Sequence, residues 1–226
     1  MSTRILAIDT ATEACSAALM LENDVLLERF VIAPQEHTQH ILPMIDSLLV
    51  EADILLKHLD VLAFGRGPGS FTGIRIGISI AQGLALGANL PVIGISTLAT
   101  LAEGTFRQTR MCQVMSAIDA RMGELYLAPY RRQGLGVWLG EDHEVVVSID
   151  SLPAVSAELQ GLWITAGTGW QSDLTQLHHD GFILTKGPTR FPSARDMLPL
   201  ALCLYRHGLA QPVSLATPTY LRNTVT

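Results

Sequence analysis

The 226-residue sequence is poor in charged residues, and in lysine above all. Charged residues make up 16% of the chain, the formal net charge is −6, and only Lys57 and Lys186 are lysines. Binding of polyphosphates depends on clustered cations that displace counterions, and no block of five like charges occurs in the sequence. The composition therefore argues against autonomous binding of nucleic acid. If RNA is involved, we expect another subunit to supply most of the positive surface.

Cysteine and long apolar segments are also scarce. An odd number of widely spaced cysteines argues against a disulfide framework and predicts buried free thiols at Cys15, Cys112 and Cys203. The longest apolar stretch, residues 74–91, contains Arg75 and several glycines, so we expect no membrane span. Only four apolar residues separate Arg4 from Asp9, too few for a signal peptide. These absences predict a cytoplasmic protein.

What the sequence does contain is an internal repeat. The tripeptide Ala-Ile-Asp ends at Asp9 and again at Asp119, an offset of 119 − 9 = 110 residues, and strand-like, helix-like and glycine-rich segments follow both copies in the same order. That offset is far longer than a solenoid period. One β-β-β-α-β-α plan used twice predicts an α/β protein of two lobes that face each other across a cleft, with an aspartate at the mouth of each first hairpin.

Three helices are predicted in the first half of the chain, the last of them over residues 97–103 with Ser96 as its N-cap. Apolar residues at spacings of three and four predict a helix over residues 37–54, in which Pro43 indicates either a kink or a late start near Leu42. Over residues 74–88, alternating isoleucines favour a strand, whereas the length and the small residues at every fourth position favour a helix, which is our prediction. The small residues Gly73, Gly77, Ala81 and Ala85 form a stripe along this helix, and together with the adjacent Ile74 and Ile78 we call it the small-residue stripe.

Two carboxylates are candidates for chemistry. A strand-end aspartate beside hydroxyl groups, as Asp9 is beside Thr10 and Thr12, is suited to hold Mg²⁺ or a water near a phosphate. The alternative for such a residue is a role in capping its own turn. Both interpretations stay open for Asp9, and the capping role is preferred for Asp119.

The glycine-rich loop, residues 65–73, also has two interpretations. It lacks the Lys-Ser/Thr of a P-loop, and its G-x-G-x-x-G pattern is broken at Ser70. Backbone amides at the start of the next helix can bind an anion, with Arg66 or Arg75 assisting. The preferred alternative is a turn that brings strand and helix into close contact.

A metal site is not favoured by the histidine pattern. His37 and His40 lie at i and i+3 with Glu36 outside the pair, whereas zincins place two histidines at i and i+4 around a glutamate. No third ligand is evident, so no residue is assigned to a metal, and a metallopeptidase is the least favoured function.

Several segments together resemble the bacterial TsaB (YeaZ) proteins. The resemblance runs almost end to end, and it rests on the residues 5–12, 36–38 with 42–43, 65–77, 117–124 and 220–222. It implies the duplicated fold of actin, sugar kinases and heat-shock ATPases, in agreement with the repeat. The lobes are expected at residues 1–106, completed by a C-terminal helix over 195–208, and at 107–194 for a smaller second lobe, followed by an extended tail, residues 209–226.

The resemblance also implies a function. Family members assist TsaD, a related protein, in transferring a threonylcarbamoyl group from threonylcarbamoyl-AMP to N6 of adenosine 37 in tRNA, forming t6A, and the ATPase TsaE joins the complex. TsaD carries two metal-binding histidines just after the segment that matches residues 91–95, whereas this chain reads Ser-Thr-Leu-Ala-Thr-Leu over residues 96–101. The chain is therefore expected to be a non-catalytic accessory or scaffold subunit that reaches tRNA indirectly, through the complex.

The resemblance places the association surface of the family on the first two helices of the N-terminal lobe. We therefore expect the small-residue stripe to dock a helix of TsaD, and to form a homodimer when TsaD is absent. The alternative function is an ATP-binding phosphotransferase or ATPase, with the nucleotide between Asp9 and Asp119. No cofactor is expected on the isolated chain; an adenine nucleotide with Mg²⁺ would belong to the complex.

Overall fold

A computed structural model describes residues 3–22, 25–170, 177 and 179–222 of the chain. The first five strands are β1 (Ile5–Asp9), β2 (Ala14–Leu21), β3 (Val25–Ile32), β4 (Val61–Gly67) and β5 (Val92–Ser96). They form one sheet in the order β3-β2-β1-β4-β5. Strand β2 is antiparallel to both of its neighbours, and β1, β4 and β5 run parallel. The sheet therefore consists of a meander followed by crossovers, as the repeat predicts.

The remaining strands form a second sheet with the same plan. They are β6 (Gln113–Arg121), β7 (Glu124–Gly134), β8 (Val137–Leu139), β9 (Val145–Ser148), β10 (Gly161–Ala166) and β11 (Phe182–Thr185). The order is β11-β10-β6-β7-β8, with β9 paired to β7. The β6–β7 hairpin repeats β1–β2, and β10 lies parallel to β6 as β4 does to β1. The predicted duplication is confirmed.

In the part of the chain that the structure describes, five α-helices cover the two sheets. They are α1 (His37–Glu51), α2 (Phe71–Ala88), α3 (Thr97–Thr109), α4 (Leu152–Ser156) and α5 (Ala194–Arg206). Helices α1 and α2 cover the outer face of the first sheet, and α3 and α5 lie between the two sheets. Strand β1 is buried throughout because both of its faces are covered, so its sequence is apolar rather than alternating.

Among the described residues, the hydrophobic core has three parts that follow these layers. One lies between α1/α2 and the first sheet, and another lies under α4 on the far side of the second sheet. The largest fills the space around α3 and α5, and it contains side chains of both sheets. Helix α5 packs on β1 and β2, although these elements lie near opposite ends of the sequence. The first sheet is therefore completed only by the last helix.

The helix predictions agree with the structure with two corrections. Residues 74–88 are helical, and α2 begins at Phe71 because the Ser70 hydroxyl accepts the Gly73 N–H at 3.3 Å. The late start near Leu42 is wrong, since α1 begins at His37 with Pro43 inside it. The prediction of buried free thiols is confirmed for Cys15. It is wrong for Cys112, which is exposed, and for Cys203, which is only half-buried.

Helix α2 also bears on the expected absence of a membrane span. Within the described part of the chain it is the one helix with the length and mean hydropathy of a span, 1.3 over 18 residues, so composition alone does not exclude one. A third of that window is buried, and the inner face of the helix packs on β1 and β4. The core helix of a globular protein can have the same length and apolar composition, so these two properties do not identify α2 as a membrane span.

Candidate functional site

The Asp9 carboxyl group lies at the end of β1 and is enclosed by its own lobe. The residue is 1% exposed, its Oδ1 accepts the Ala11 N–H at 3.0 Å, and its Oδ2 has no hydrogen-bond partner among the described residues. That orphan oxygen lies directly over Gly65, where any Cβ atom would overlap it. Burial raises the pKa of Asp9 to about 7, and the hydrogen bond from Ala11 offsets only part of this. The group is thus a poor ligand for Mg²⁺, since no space separates it from the loop.

The two threonines beside Asp9 are committed to internal hydrogen bonds. The Thr10 hydroxyl donates to the Gly73 carbonyl at 2.7 Å, and the Thr12 hydroxyl accepts the Ala14 N–H at 3.3 Å. Both side chains are buried. They hold the glycine-rich loop and the β1–β2 turn together, so the structure does not present the predicted Asp9, Thr10 and Thr12 as an open nucleotide site.

The glycine-rich loop is packed against that same turn. The Ser70 N–H donates to the Ala11 carbonyl at 2.7 Å. A Cβ atom at Gly69 would overlap this carbonyl oxygen, and a Cβ atom at Gly73 would overlap that of Thr10. Glycine is therefore required here by close approach of backbone to backbone. The close-contact interpretation of the loop fits the structure, and Ser70 acts as the N-cap of α2.

Arg66 and Asp119 are each used in contacts within the chain. The Arg66 guanidinium pairs with Glu141 of the second lobe and donates to the Thr219 hydroxyl. Asp119 accepts the Arg121 N–H at 2.8 Å and pairs with the guanidinium of the same residue at 3.2 Å. Asp119 thus caps its own turn, which is the role preferred from the sequence.

The stretch at the start of α3, where TsaD is expected to carry metal-binding histidines, lies in the interior. The Ser96 hydroxyl accepts the Leu98 N–H at 3.1 Å and donates to the Glu144 carboxylate, to which the Tyr130 hydroxyl also donates at 2.6 Å. Burial raises the pKa of Glu144, and burial followed by the charge of Glu144 raises the pKa of Tyr130. Thr97 is wholly buried. This part of the molecule joins the two lobes through buried polar contacts.

The histidine pair near the start of α1 does not converge. His37 is buried, and its Nε2 contacts the Thr12 carbonyl at 2.8 Å, whereas the partly exposed His40 contacts Glu36 at 3.4 Å. No group of three or more His, Cys, Asp or Glu with metal-site geometry occurs within the described ranges.

The structure contradicts the prediction that the small-residue stripe faces a partner. All six of its residues are buried within the chain: Gly73, Ile74, Gly77, Ile78, Ala81 and Ala85. A Cβ atom on Gly77 would lie 2.6 Å from the Thr10 Oγ1. The physical reason is that the small residues allow α2 to approach the chain's own strand β1. The four-residue spacing was a correct sign of close packing, but the sequence does not say which surface is packed.

The opposite side of α2 is exposed, and it combines apolar residues with Thr72, Arg75 and Ser79. Phe71 is 58% exposed and Leu86 is 74% exposed. Gly83 and Gly87 face open space, because a Cβ atom added to either would have no neighbour within 4 Å among the described residues beyond its own turn of helix. A shallow hollow of about 370 Å³ near the start of the helix is lined by Thr38, Phe71, Thr72, Arg75, Ile76, Ser79 and Ile80. We call the exposed side of α2, with the neighbouring exposed residues of α1, the outer helix face.

Helix α1 extends the outer helix face. Leu42 and Val50 lie two turns apart on α1 and are 49% and 72% exposed. Exposed large apolar residues on two adjacent helices are typical of an interaction site. This face was not predicted from the sequence; the signal that could have indicated it is a further glycine pair spaced by four residues, Gly83 and Gly87, which lies on the outer side of α2.

Comparison with known proteins identifies relatives along nearly the whole chain. Residues 31–160 match the family model described as TsaD: tRNA N6-adenosine threonylcarbamoyltransferase. The chain is 50% identical to the tRNA threonylcarbamoyladenosine biosynthesis protein TsaB of Escherichia coli, over 98% of this chain and 96% of that protein. It is 40% identical to the protein of the same name from Haemophilus influenzae, over 98% and 94% of the two chains.

Solved structures agree with these matches. The structure titled YeaZ from Pseudomonas aeruginosa superposes with a TM-score of 0.84 at 36% identity and covers 97% of this chain and 100% of that one. A second structure, described as an uncharacterized protein with similarity to peptidase YEAZ from Pseudomonas aeruginosa, gives 0.86 at 38% identity with the same coverage. The two-lobed α/β architecture is that of the actin-like fold. The chain belongs to the TsaB (YeaZ) family.

Proposed function

We propose that this chain is a non-catalytic accessory subunit in the biosynthesis of threonylcarbamoyladenosine in tRNA. It acts with TsaD, which transfers the threonylcarbamoyl group to N6 of adenosine 37, and with the ATPase TsaE, in the cytoplasm. Membership in the TsaB family supports the pathway. The formal charge of −6 supports the view that tRNA is held mainly by the other subunits.

The observation that carries the proposal is the outer helix face. It offers apolar side chains on two adjacent helices, and two glycines of α2 leave the backbone accessible. A helix of a related lobe can approach such a surface closely, because Gly83 and Gly87 place no side chain between the two backbones. This face takes over the role first assigned to the small-residue stripe. We propose that it binds TsaD, and a second copy of this chain when TsaD is absent.

The interior contacts support the non-catalytic part of the proposal. Asp9 lies against Gly65, and the segment around Thr219 lies against Arg66 at the end of β4. Ser96 is bound to Glu144 at the start of α3. Because Asp9 is enclosed by its own lobe, and Arg66 and Ser96 are engaged in contacts within the chain, we propose that it binds neither metal nor nucleotide alone, and that any adenine nucleotide with Mg²⁺ is held within the assembled complex.

The test is a pair of matched substitutions on exposed leucines. Leu86→Arg places a charge on the outer helix face, and Leu135→Arg places the same charge on the second lobe, where the leucine is also exposed. We expect Leu86→Arg to abolish association with TsaD in analytical ultracentrifugation and to stop tRNA modification in a reconstituted reaction. Leu135→Arg should do neither. Equal binding by both variants would exclude the outer helix face, and modification of tRNA by the purified chain without TsaD would exclude the accessory role.

A further inference from the structure

The C-terminal segment after α5 lies across both lobes. Residues 213–215 form a short 3-10 turn beside α2. From there the chain continues without regular secondary structure to Arg222, the last described residue. We define residues 216–222 as the strap.

The first part of the strap is fixed to the first lobe by backbone contacts. The Gln82 side chain donates to the Ala216 carbonyl at 3.0 Å, and the Thr219 N–H donates to the Arg66 carbonyl at 2.8 Å. Ala216 is buried in the core under α2. Gly67 has φ +96°, and a Cβ atom on it would lie 2.8 Å from Ile74 Cδ1 and 3.3 Å from the Thr219 carbonyl oxygen. The glycine-rich loop is therefore in close contact with the strap.

The middle of the strap is held at the start of α2. The ring of Tyr220 lies 6.3 Å from that of Phe71, and the Arg75 guanidinium lies over both rings, at 3.2 Å from the Phe71 centroid and 5.5 Å from the Tyr220 centroid. Such cation–π contacts stabilise by about 0.5–1 kcal/mol at exposed sites. They fix the orientation of two side chains that belong to the outer helix face.

The end of the strap is fixed to the second lobe. The Arg222 guanidinium donates to the Ala120 carbonyl at 3.2 Å and to the Glu124 carboxylate. Both acceptors belong to the β6–β7 hairpin, whose turn places Arg121 and Met122 at φ of 66° and 57°. Non-glycine residues in this region cost of order 1–3 kcal/mol each and persist only where the surroundings hold them. Arg222 is one of the groups that hold this turn.

We infer that the strap couples the second lobe to the outer helix face. Its two side-chain anchors, Tyr220 on α2 and Arg222 on the hairpin, are only two residues apart, so the intervening chain spans about 7 Å when extended and has little slack. Loss of the Arg222 anchor therefore loosens Tyr220, and with it Phe71 and Arg75. Movement of the second lobe, or capture of the tail by another molecule, changes the surface that α2 presents. The coupling is a property of the isolated chain and does not depend on the proposed partner.

The inference is tested by amide hydrogen exchange on the full chain. Arg222→Ala and Glu124→Ala remove the same ion pair from its two ends, and Thr217→Ala is the control, since Thr217 is exposed in the same strap. Exchange is followed in two regions, residues 119–125 of the hairpin and residues 66–76 at the start of α2. Residues 41–50 of α1 serve as the internal reference for global stability.

We expect both anchor variants to accelerate exchange about threefold or more in both regions, with exchange in the reference region unchanged. The expected factor is modest because the ion pair is partly exposed and solvent screens part of its energy. Tyr220→Ala should give the reciprocal result, with faster exchange in the hairpin as well as in α2. Thr217→Ala should change neither. Acceleration confined to the hairpin in the Arg222 and Glu124 variants would show that the lobes are not coupled through the strap, and no acceleration at all would show that the strap does not hold them.

Discussion

Asp9 provides the sharpest test of how the interior of the first lobe is built. Its carboxyl group is buried, and its pKa rises from 3.8 to about 7. The folded state therefore favours the protonated acid, whereas the unfolded chain ionises near pH 4. The stabilising contribution of protonated Asp9 to the free energy of unfolding is fully present below about pH 4, and it is lost as the pH rises through about 7. The total loss corresponds to about 4 kcal/mol, at 1.36 kcal/mol for each pH unit between the two values.

The variant Asp9→Asn removes this dependence while keeping the shape of the side chain and the hydrogen bond from Ala11. The amide carries its own cost for unpaired N–H groups, but that cost does not change with pH. We therefore expect the free energy of unfolding of the variant, relative to the parent, to improve by about 3 kcal/mol between pH 5 and pH 8. Cys15 does not interfere, because burial and the charge of Asp9 raise the pKa of its thiol to about 12.

The measurement is urea unfolding of both proteins at several pH values. Glu103, Glu144 and Asp196 also have pKa values raised by burial, so the pH dependence of the parent alone is not diagnostic. The difference between the two proteins isolates Asp9. A difference that stays constant from pH 5 to pH 8 would refute the argument, because it would mean that Asp9 is solvated or paired in the folded state.

Three further predictions follow from the packing. Gly77→Leu should lower the free energy of unfolding by more than about 2 kcal/mol in urea unfolding, because the leucine side chain would meet the Thr10 hydroxyl. Gly83→Ala should raise it by about 0.5–1 kcal/mol, because alanine favours the helix and the position faces open space. The reverse order would mean that Gly83, and not Gly77, faces the core. Asp196→Ala should lower the free energy of unfolding by about 2–3 kcal/mol, because it removes the acceptor of both Arg107 hydrogen bonds, at 2.6 and 3.2 Å. The loss is limited because the partly exposed arginine regains contact with water. An unchanged free energy of unfolding would show that this ion pair does not stabilise the fold. Titration calorimetry of the isolated chain with Mg-ATP should give no measurable heat of binding, and tight binding would instead favour the phosphotransferase or ATPase alternative.

Much of the fold could be predicted from the sequence. The repeated Ala-Ile-Asp and the segments after it predicted the two matching halves, because each element type carries its own local periodicity. Helix α2 was predicted despite its alternating isoleucines, since small residues at every fourth position mark one side of a helix. Local pattern was sufficient in these cases because the buried surface repeats with the period of the element.

The site was less predictable, because it depends on contacts between distant residues. Asp9 was recognised as unusual, but its burial against Gly65 depends on a strand more than fifty residues away. The small-residue stripe was recognised as a packing surface but assigned to a partner, because spacing does not distinguish contact with the chain's own strand from contact with another chain. The contacts of Tyr220 and Arg222 join segments of the chain separated by about 100 residues or more, and no local pattern reports them.

The position of α5 has a consequence for synthesis of the protein on the ribosome. The inner face of the first sheet, including Ile5, Ala7 and Ala18, is covered by side chains of a helix that ends at Arg206. When the first half of the chain has emerged, α3 is available to cover β4 and β5, but the helix that packs on β1 and β2 has not yet been made, although the strands can already pair. The nascent chain therefore carries an exposed apolar surface over β1 and β2 until α5 has been synthesised, so the first lobe cannot complete its core before the whole second lobe has been made.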